Sequence, residues 1–274
     1  MLALIAVGLI GAGIWWATYD RDRRAIVAER AKRLALSKLG RTLPGTPNLE
    51  DLDGRLAAKG LKSGAPVFIR IFKREFELEL WLKHEGRFVH FATYPVCRWS
   101  GQLGPKLIEG DGQSPEGFYT VDKRALNPHS RWHRSFNLGF PNVFDRAHGR
   151  TGSYLMVHGG CSSVGCYAMT NAVVDEIWGL VTAALRQGQK RIHVHAFPFR
   201  MSDENLRARE GSEWSTFWSE LKPAYDAFET SRLPPRVTVC RGRYQVVSAE
   251  SESEGEQGVT EGCMTSAQAS KADG

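Results

Sequence analysis

Over residues 75–82 apolar and polar positions alternate: Phe76, Leu78, Leu80 and Leu82 fall on one side, Glu75, Glu77, Glu79 and Trp81 on the other. A period of two predicts a strand with one buried face, and the glutamates read as its solvated side. Val67–Phe72 is an apolar run of strand length beside it, and 87–94 continues the sheet after a turn at Glu85 and Gly86. Strands are also predicted at Gly117–Val121, 154–157, 191–197 and, as one piece, 236–247. His193 and His195 share a strand face. Such a pair suits a metal, and facing a loop or solvent is the simpler reading.

The period lengthens to that of a helix in three main places. Residues 21–39 are rich in Ala, Leu, Arg and Lys and stop at Gly40. Val173, Val174, Ile177, Leu180, Val181, Ala184 and Leu185 line one face of a helix that Asn171 can cap and Gly188 can end. In 212–231, Trp214, Phe217, Trp218, Leu221, Tyr225 and Phe228 form an aromatic stripe that must pack on the sheet, with a kink expected at Pro223. A short helix is predicted at 49–59, a linker at 41–48, and loops at 97–117 and 135–150.

Between the strand at 154–157 and the helix near Asn171 lies the chemistry. Residues 157–169 hold His158, Gly159, Gly160, Cys161, Ser162, Ser163, Gly165 and Cys166. A base at a strand end and a nucleophile eight residues later at a helix entrance suit a cysteine active site. Cys166 is the expected nucleophile and His158 its base, paired as thiolate and imidazolium. Gly165 permits a sharp turn, after which the amides of Gly165 and Cys166 can face a developing oxyanion. Cys161 competes for the nucleophile role, and a structural loop closed by a disulfide or zinc is the chemically inert alternative.

Composition narrows the context. With 274 residues and 24% charged residues the chain has the make-up of one globular domain with tails. A net charge of +6 favours acidic partners, but no dense basic block interleaved with aromatics points to nucleic acid. Residues 2–17 carry no charge and are short for a spanning helix, which needs about 20 residues. They suit a signal peptide or signal anchor. Arg21, Arg23 and Arg24 follow this run, which opposes export unless a basic region precedes it. The expectation is export with a retained anchor. For an exported chain, five cysteines partition into two pairs and one free thiol. The expected pairs are Cys97–Cys161 and Cys240–Cys263, with Cys166 free; five unrelated reduced thiols are the alternative.

From His158 and Gly159 to Ser163, Val164, Gly165 and Cys166 the chain resembles the L,D-transpeptidase catalytic domain (YkuD-type) family. The resemblance extends to Tyr94-Pro95, Ser100-Gly101, Gly104 to Lys106, Gly110-Asp111 and the run Ser114 to Tyr119. Arg146 to Gly152, Gly165 to Met169 and Phe197 to Met201 look most like its murein L,D-transpeptidase/peptidoglycan amidase subgroup. The resemblance covers roughly 60–235.

What the resemblance implies is an α+β protein: a mainly β sandwich with a helix after the cysteine and a C-terminal amphipathic helix packed on the sheet. The implied organisation is a signal peptide or anchor at 1–20, a juxtamembrane helix and linker at 21–60, the catalytic domain at 61–247 and a disordered tail at 248–274. The implied substrates are peptidoglycan stem peptides, attacked at meso-diaminopimelate, and with them a peptidoglycan-linked lipoprotein. The implied location is the periplasm, on the inner membrane or released by cleavage. No cofactor or metal is expected. The Gly159 carbonyl would orient His158, Ser163 would support the oxyanion region, and Arg146, Arg150, Lys106 and Tyr167 would bind substrate. Val164 stands where many members have a second histidine, and Ala168 where many have an arginine. Both departures favour hydrolysis over transfer. A catalytically silent peptidoglycan-binding module and a zinc protein built on His148, His158, Cys161 and Cys166 are the competing readings.

Overall fold

The structure, a computed structural model, describes residues 2–247 and 258–263, with side chains from residue 17 onward. Helices α1 (Leu2–Lys38) and α2 (Leu52–Ala57) precede strands β1 (Val67–Phe72), β2 (Glu77–His84), β3 (Arg87–Pro95) and β4 (Gly117–Val121). Then come β5 (Leu126–Ser130), β6 (His133–Asn137), α3 (Val143–Ala147), β7 (Met156–His158) and β8 (Tyr167–Ala168). Helix α4 (Asn171–Arg186), β9 (Ile192–Phe197), α5 (Asp203–Arg207) and α6 (Ser215–Ser231) lead to β10 (Arg236–Cys240), β11 (Arg243–Val247) and β12 (Thr260–Glu261).

The main sheet has the order β3-β2-β1-β9-β4, parallel only between β1 and β9. β1 and β9 are buried at every position, because the sheet is covered on both sides. On one side Ile69, Leu80 and Val194 pack with Ile177 and Val181 of α4 and with Phe136 and Val157 of a second sheet, β5-β6-β7-β8. On the other side Phe72 and Phe197 meet Leu221 of α6, and Phe68 and Trp81 meet Phe228. The architecture is α+β.

The covering by α6 corrects two expectations. The glutamate side of β2 is only partly solvated: Glu77 stays half-exposed but Glu79 is buried, where Arg70 reaches both it and Glu229 of α6 at 2.7 Å, and Glu79 also accepts from Arg200. His193 and His195 do not face a loop or solvent; His195 is buried between Phe68 and Phe118, ring centroids 4.8 and 4.7 Å away. In each case the alternation is as read, but a helix occupies the side where water was expected.

Local differences have local causes. The 236–247 strand is a hairpin turning at Arg241 and Gly242, both at positive φ. The 135–150 loop contains β6 and α3, whose Asn142 and Asp145 form a reciprocal capping box. Thr170, not Asn171, caps α4. Helix α6 is continuous through Pro223.

The second half of α1 lies against the body. Its buried Asp22 accepts from Arg74 and Arg209, each at 2.7 Å, and Arg33 donates to the Val96 carbonyl. Among the described residues no helix is long and apolar enough to cross a membrane. Most of the 248–274 segment lies outside the described residues; within it, Thr260–Glu261 pairs with β10 and Cys263 is bonded to Cys240.

Candidate active site

The two expected reactive residues lie at the paired strands β7 and β8: His158 ends β7, and Cys166 stands in the bend just before β8. The strands are parallel, with His158 opposite Ala168. Cys166 precedes Ala168 by two, which sets it beside Met156 at the start of β7. The thiol is half-buried and free. It accepts from the Met156 amide at 3.4 Å and donates to the Tyr154 carbonyl at 3.6 Å. The imidazole is buried.

His158 Nδ1 lies 2.6 Å from the Gly159 carbonyl. A carbonyl only accepts, so Nδ1 carries the proton and Nε2 keeps its lone pair. Gly159 must be glycine because a Cβ there would sit 2.7 Å from Asn171 Oδ1 and 2.9 Å from the Trp132 carbonyl. Gly165 has φ +133°, a region L side chains rarely adopt, and brings the chain sharply into Cys166.

Burial, opposed in part by the Gly159 hydrogen bond, lowers the His158 pKa below its ordinary value. Burial raises that of the Cys166 thiol, with the Met156 amide and the Lys106 charge pulling the other way. Both shifts favour the neutral form of each group, because either charged form would have to lose water in a half-closed site.

A set of hydrogen bonds holds the nucleophile's backbone. The Cys166 carbonyl accepts from Ser163 Oγ at 2.6 Å and Ser114 Oγ at 3.0 Å. Ser163 Oγ also accepts from the Gly165 amide, which engages that amide away from an oxyanion, and meets Ser100 Oγ at 3.0 Å. Tyr167 OH donates to the Pro115 carbonyl at 2.6 Å. Behind this loop Lys73 and Glu116, fully buried, pair at 2.8 Å. Lys73 also donates to the carbonyls of Gly104 and Ser114, and Glu116 accepts from the Gly104 amide and Trp218 Nε1. Ser114 stood in the sequence only as part of a motif, and Lys73 gave no signal, since it closes a strand like any exposed lysine.

The expected substrate cations disperse. Arg150 is buried, bonded to Asp145 at 2.8 Å, and stacked on Phe144 and Phe217. Arg146 is exposed and donates to the Pro141 carbonyl, lining a separate cavity with Arg191 and Thr260. Tyr167 is fully buried, so its side chain is a support for the loop. Lys106 remains near the thiol, tied to Asp111 at 2.5 Å and to the Ile108 carbonyl. Two residues that sequence reasoning did not single out border the pair: Trp132, its ring 5.9 Å from that of His158, and Tyr154. Sγ–Sγ bonds join Cys97 to Cys161, inside the catalytic loop, and Cys240 to Cys263. Among the described residues no group of three or more His, Cys, Asp or Glu side chains could hold a metal ion.

Fold and site together define a class: an α+β domain with a histidine at the end of one strand and a free cysteine at the entrance of its parallel neighbour. Residues 69–194 match the L,D-transpeptidase catalytic domain (YkuD). The chain is 50% identical over 183 residues to the L,D-transpeptidase-family protein YafK of Escherichia coli K12, covering 67% of this chain and 74% of that one; YafK of Escherichia coli O157:H7 matches equally. Among solved structures, the helical cell shape determining protein Pgp2 of Campylobacter jejuni aligns with a TM-score of 0.40 and 20% identity, over 66% of this chain and 68% of that one. Bd1075 of Bdellovibrio bacteriovorus aligns with a TM-score of 0.35 and 18% identity, over 60% of each chain. The chain belongs to the L,D-transpeptidase family.

Proposed function

We propose that the protein is a peptidoglycan-remodelling cysteine enzyme that attacks the carbonyl of meso-diaminopimelate in stem peptides. The placement of His158 at the end of β7 and Cys166 at the entrance of its neighbour β8, with Nε2 free to accept a proton, is the observation that supports this reading most. As the thiol proton passes to Nε2, Sγ bonds to the carbonyl carbon. The C–N bond then breaks, and the amine leaves with that proton. Water or a second stem's amine next loses a proton to Nε2 and displaces Sγ, regenerating the thiol.

Hydrolysis, including cleavage of a diaminopimelate amide to a protein-borne lysine, is favoured over transfer. Ala168 is buried in β8 and bridged to Arg98, so no side chain at that position offers a cation to a terminal carboxylate. Lys106 is already paired with Asp111. The enzyme acts in the periplasm, held to the inner membrane by its N-terminal segment or released by cleavage there. Incubation of wild type and Cys166→Ala with muropeptides and with peptidoglycan carrying a covalently attached lipoprotein tests the proposal. Free lipoprotein and shortened peptides in the wild-type digest alone are expected; identical profiles from both proteins would sink it.

A further inference from the structure

One cavity takes no part in this chemistry. It encloses about 600 Å³ and lies between α1, the 102–113 loop and the start of α6. Two of its carboxylates are paired, Asp22 with Arg209 at 2.7 Å and Asp111 with Lys106 at 2.5 Å, and the remaining lining charges, Arg23 and Glu213, are opposite in sign. The wall thus carries no excess of positive charge, which a phosphate or free carboxylate would need. Its wall includes the half-buried indole of Trp214, whose edge rests on the backbone at Gly104; a Cβ there would come within 2.6 Å of Nε1. The backbone of Gln102 is held by Gln113, while its side-chain amide, like Trp214 Nε1–H, makes no hydrogen bond among the described residues.

An aromatic face beside free amide and indole donors, with no net charge to match, suits a neutral polyhydroxylated ring, which has an apolar C–H face and a polar rim. The volume fits a disaccharide within the usual range of ligand pockets, roughly 300–1,000 Å³. Position adds a second reason. Gln113 lines the cavity, and the next residue, Ser114, donates to the Cys166 carbonyl at 3.0 Å. The cavity and the nucleophile thus lie on two sides of one loop. A stem of three residues spans about 10 Å when extended, enough to round a single loop.

We infer that this cavity is a glycan subsite, taking the N-acetylated amino-sugar disaccharide to which the reacting stem peptide is attached. The inference rests on the peptidoglycan reading above. It makes the docked half of α1 part of the substrate site, because Asp22, Arg23 and Ile26 close one wall.

Two measurements test it. In calorimetric titration of the Cys166→Ala protein, the disaccharide without peptide is expected to bind, and Trp214→Ala or Gln102→Ala to weaken it. Trp214→Ala should do so about ten-fold, the loss of one aromatic contact. With Cys166 intact, the same variants should raise KM for disaccharide-peptide and leave KM and kcat for the sugar-free peptide as in wild type. Gln102→Ala removes only an unengaged side chain and keeps the test decisive should Trp214→Ala fail to fold. Absence of disaccharide binding, or an equal effect on both peptide substrates, overturns the subsite. Absence of wild-type turnover on either peptide overturns the enzymatic reading instead, and the titration still decides the cavity.

Discussion

Ser114 donates a hydrogen bond to the carbonyl of Cys166 at 3.0 Å, although 52 positions separate them in the chain. Ser114 is itself placed by the Lys73–Glu116 pair, so a buried charge on the main sheet reaches the nucleophile through two hydrogen bonds. Ser114→Ala removes the hydrogen bond to Cys166 and the one that Ser114 Oγ accepts from the Ser100 amide, each worth about 1 kcal/mol, and should lower the melting temperature by a few degrees. Because it frees the nucleophile's peptide plane, kcat should fall about ten-fold with KM unchanged, and Ser114→Thr should restore it. Steady-state kinetics alongside thermal melts separate the two effects.

The Lys73–Glu116 pair should show the asymmetry of buried ion pairs. Glu116→Ala leaves the Lys73 ammonium buried without its counter-charge and should cost about 3–5 kcal/mol. The double change Lys73→Met with Glu116→Leu should cost clearly less, since no charge is then stranded. Urea unfolding of the three proteins measures the difference; a double variant as unstable as Glu116→Ala contradicts it.

The opposite pKa shifts of His158 and Cys166 make a pH prediction with a definite sign. His158 is lowered below 6.5, so it stays unprotonated, and kcat/KM should fall only as pH drops below that value. The thiol is raised above 9.0, so alkylation of Cys166 by iodoacetamide should be slow at neutral pH and accelerate beyond that value. Fast alkylation at pH 6 would instead reveal a thiolate–imidazolium pair.

His195 should make the fold acid-sensitive. Burial, reinforced by His193 and Arg70, holds its pKa well below 6.5. The unfolded chain therefore binds a proton that the folded chain refuses. Stability rises with pH in this window and is lost as pH falls below 6.5. His195→Phe, which suits the surrounding Phe68, Phe118 and Phe197, should flatten that dependence. Thermal melts between pH 4 and pH 8, about two units either side of the histidine value, would show it.

The Cys97–Cys161 bond closes a loop with a sequence separation of 64 and should contribute about 4 kcal/mol by constraining the unfolded chain. Replacing both cysteines by serine should lower the unfolding midpoint accordingly. It should also reduce turnover, because Cys161 lies in the loop between His158 and Cys166. Under non-reducing conditions, peptide mapping after alkylation should find the label on Cys166 alone.

Much of the site was legible in the chain. His158, Gly159, Ser163, Gly165 and Cys166 fall within nine residues, and local backbone geometry at a strand end brings most of them together. The protonation state was not legible. It depends on how much water reaches the two side chains, and Tyr154, Met156 and Trp132 set that from elsewhere. Arg150 illustrates the same gap: its charge is visible in the sequence, while its partner Asp145 and the rings of Phe144 and Phe217 appear only once α3 meets α6.

The sequence by itself determined the periodicities: which residues alternate on β2, which line one face of α4, and where a histidine and a cysteine fall eight residues apart around a glycine-rich turn. Those are consequences of covalent geometry acting over a few residues. Tertiary structure alone decided what covers each face. Helix α6 turned Glu79 of β2 and the histidines of β9 from surface into interior, and the buried Lys73–Glu116 pair tied the main sheet to the catalytic loop. Burial and long-range charge are sums over neighbours distant in sequence, and one-dimensional patterning carries no record of them.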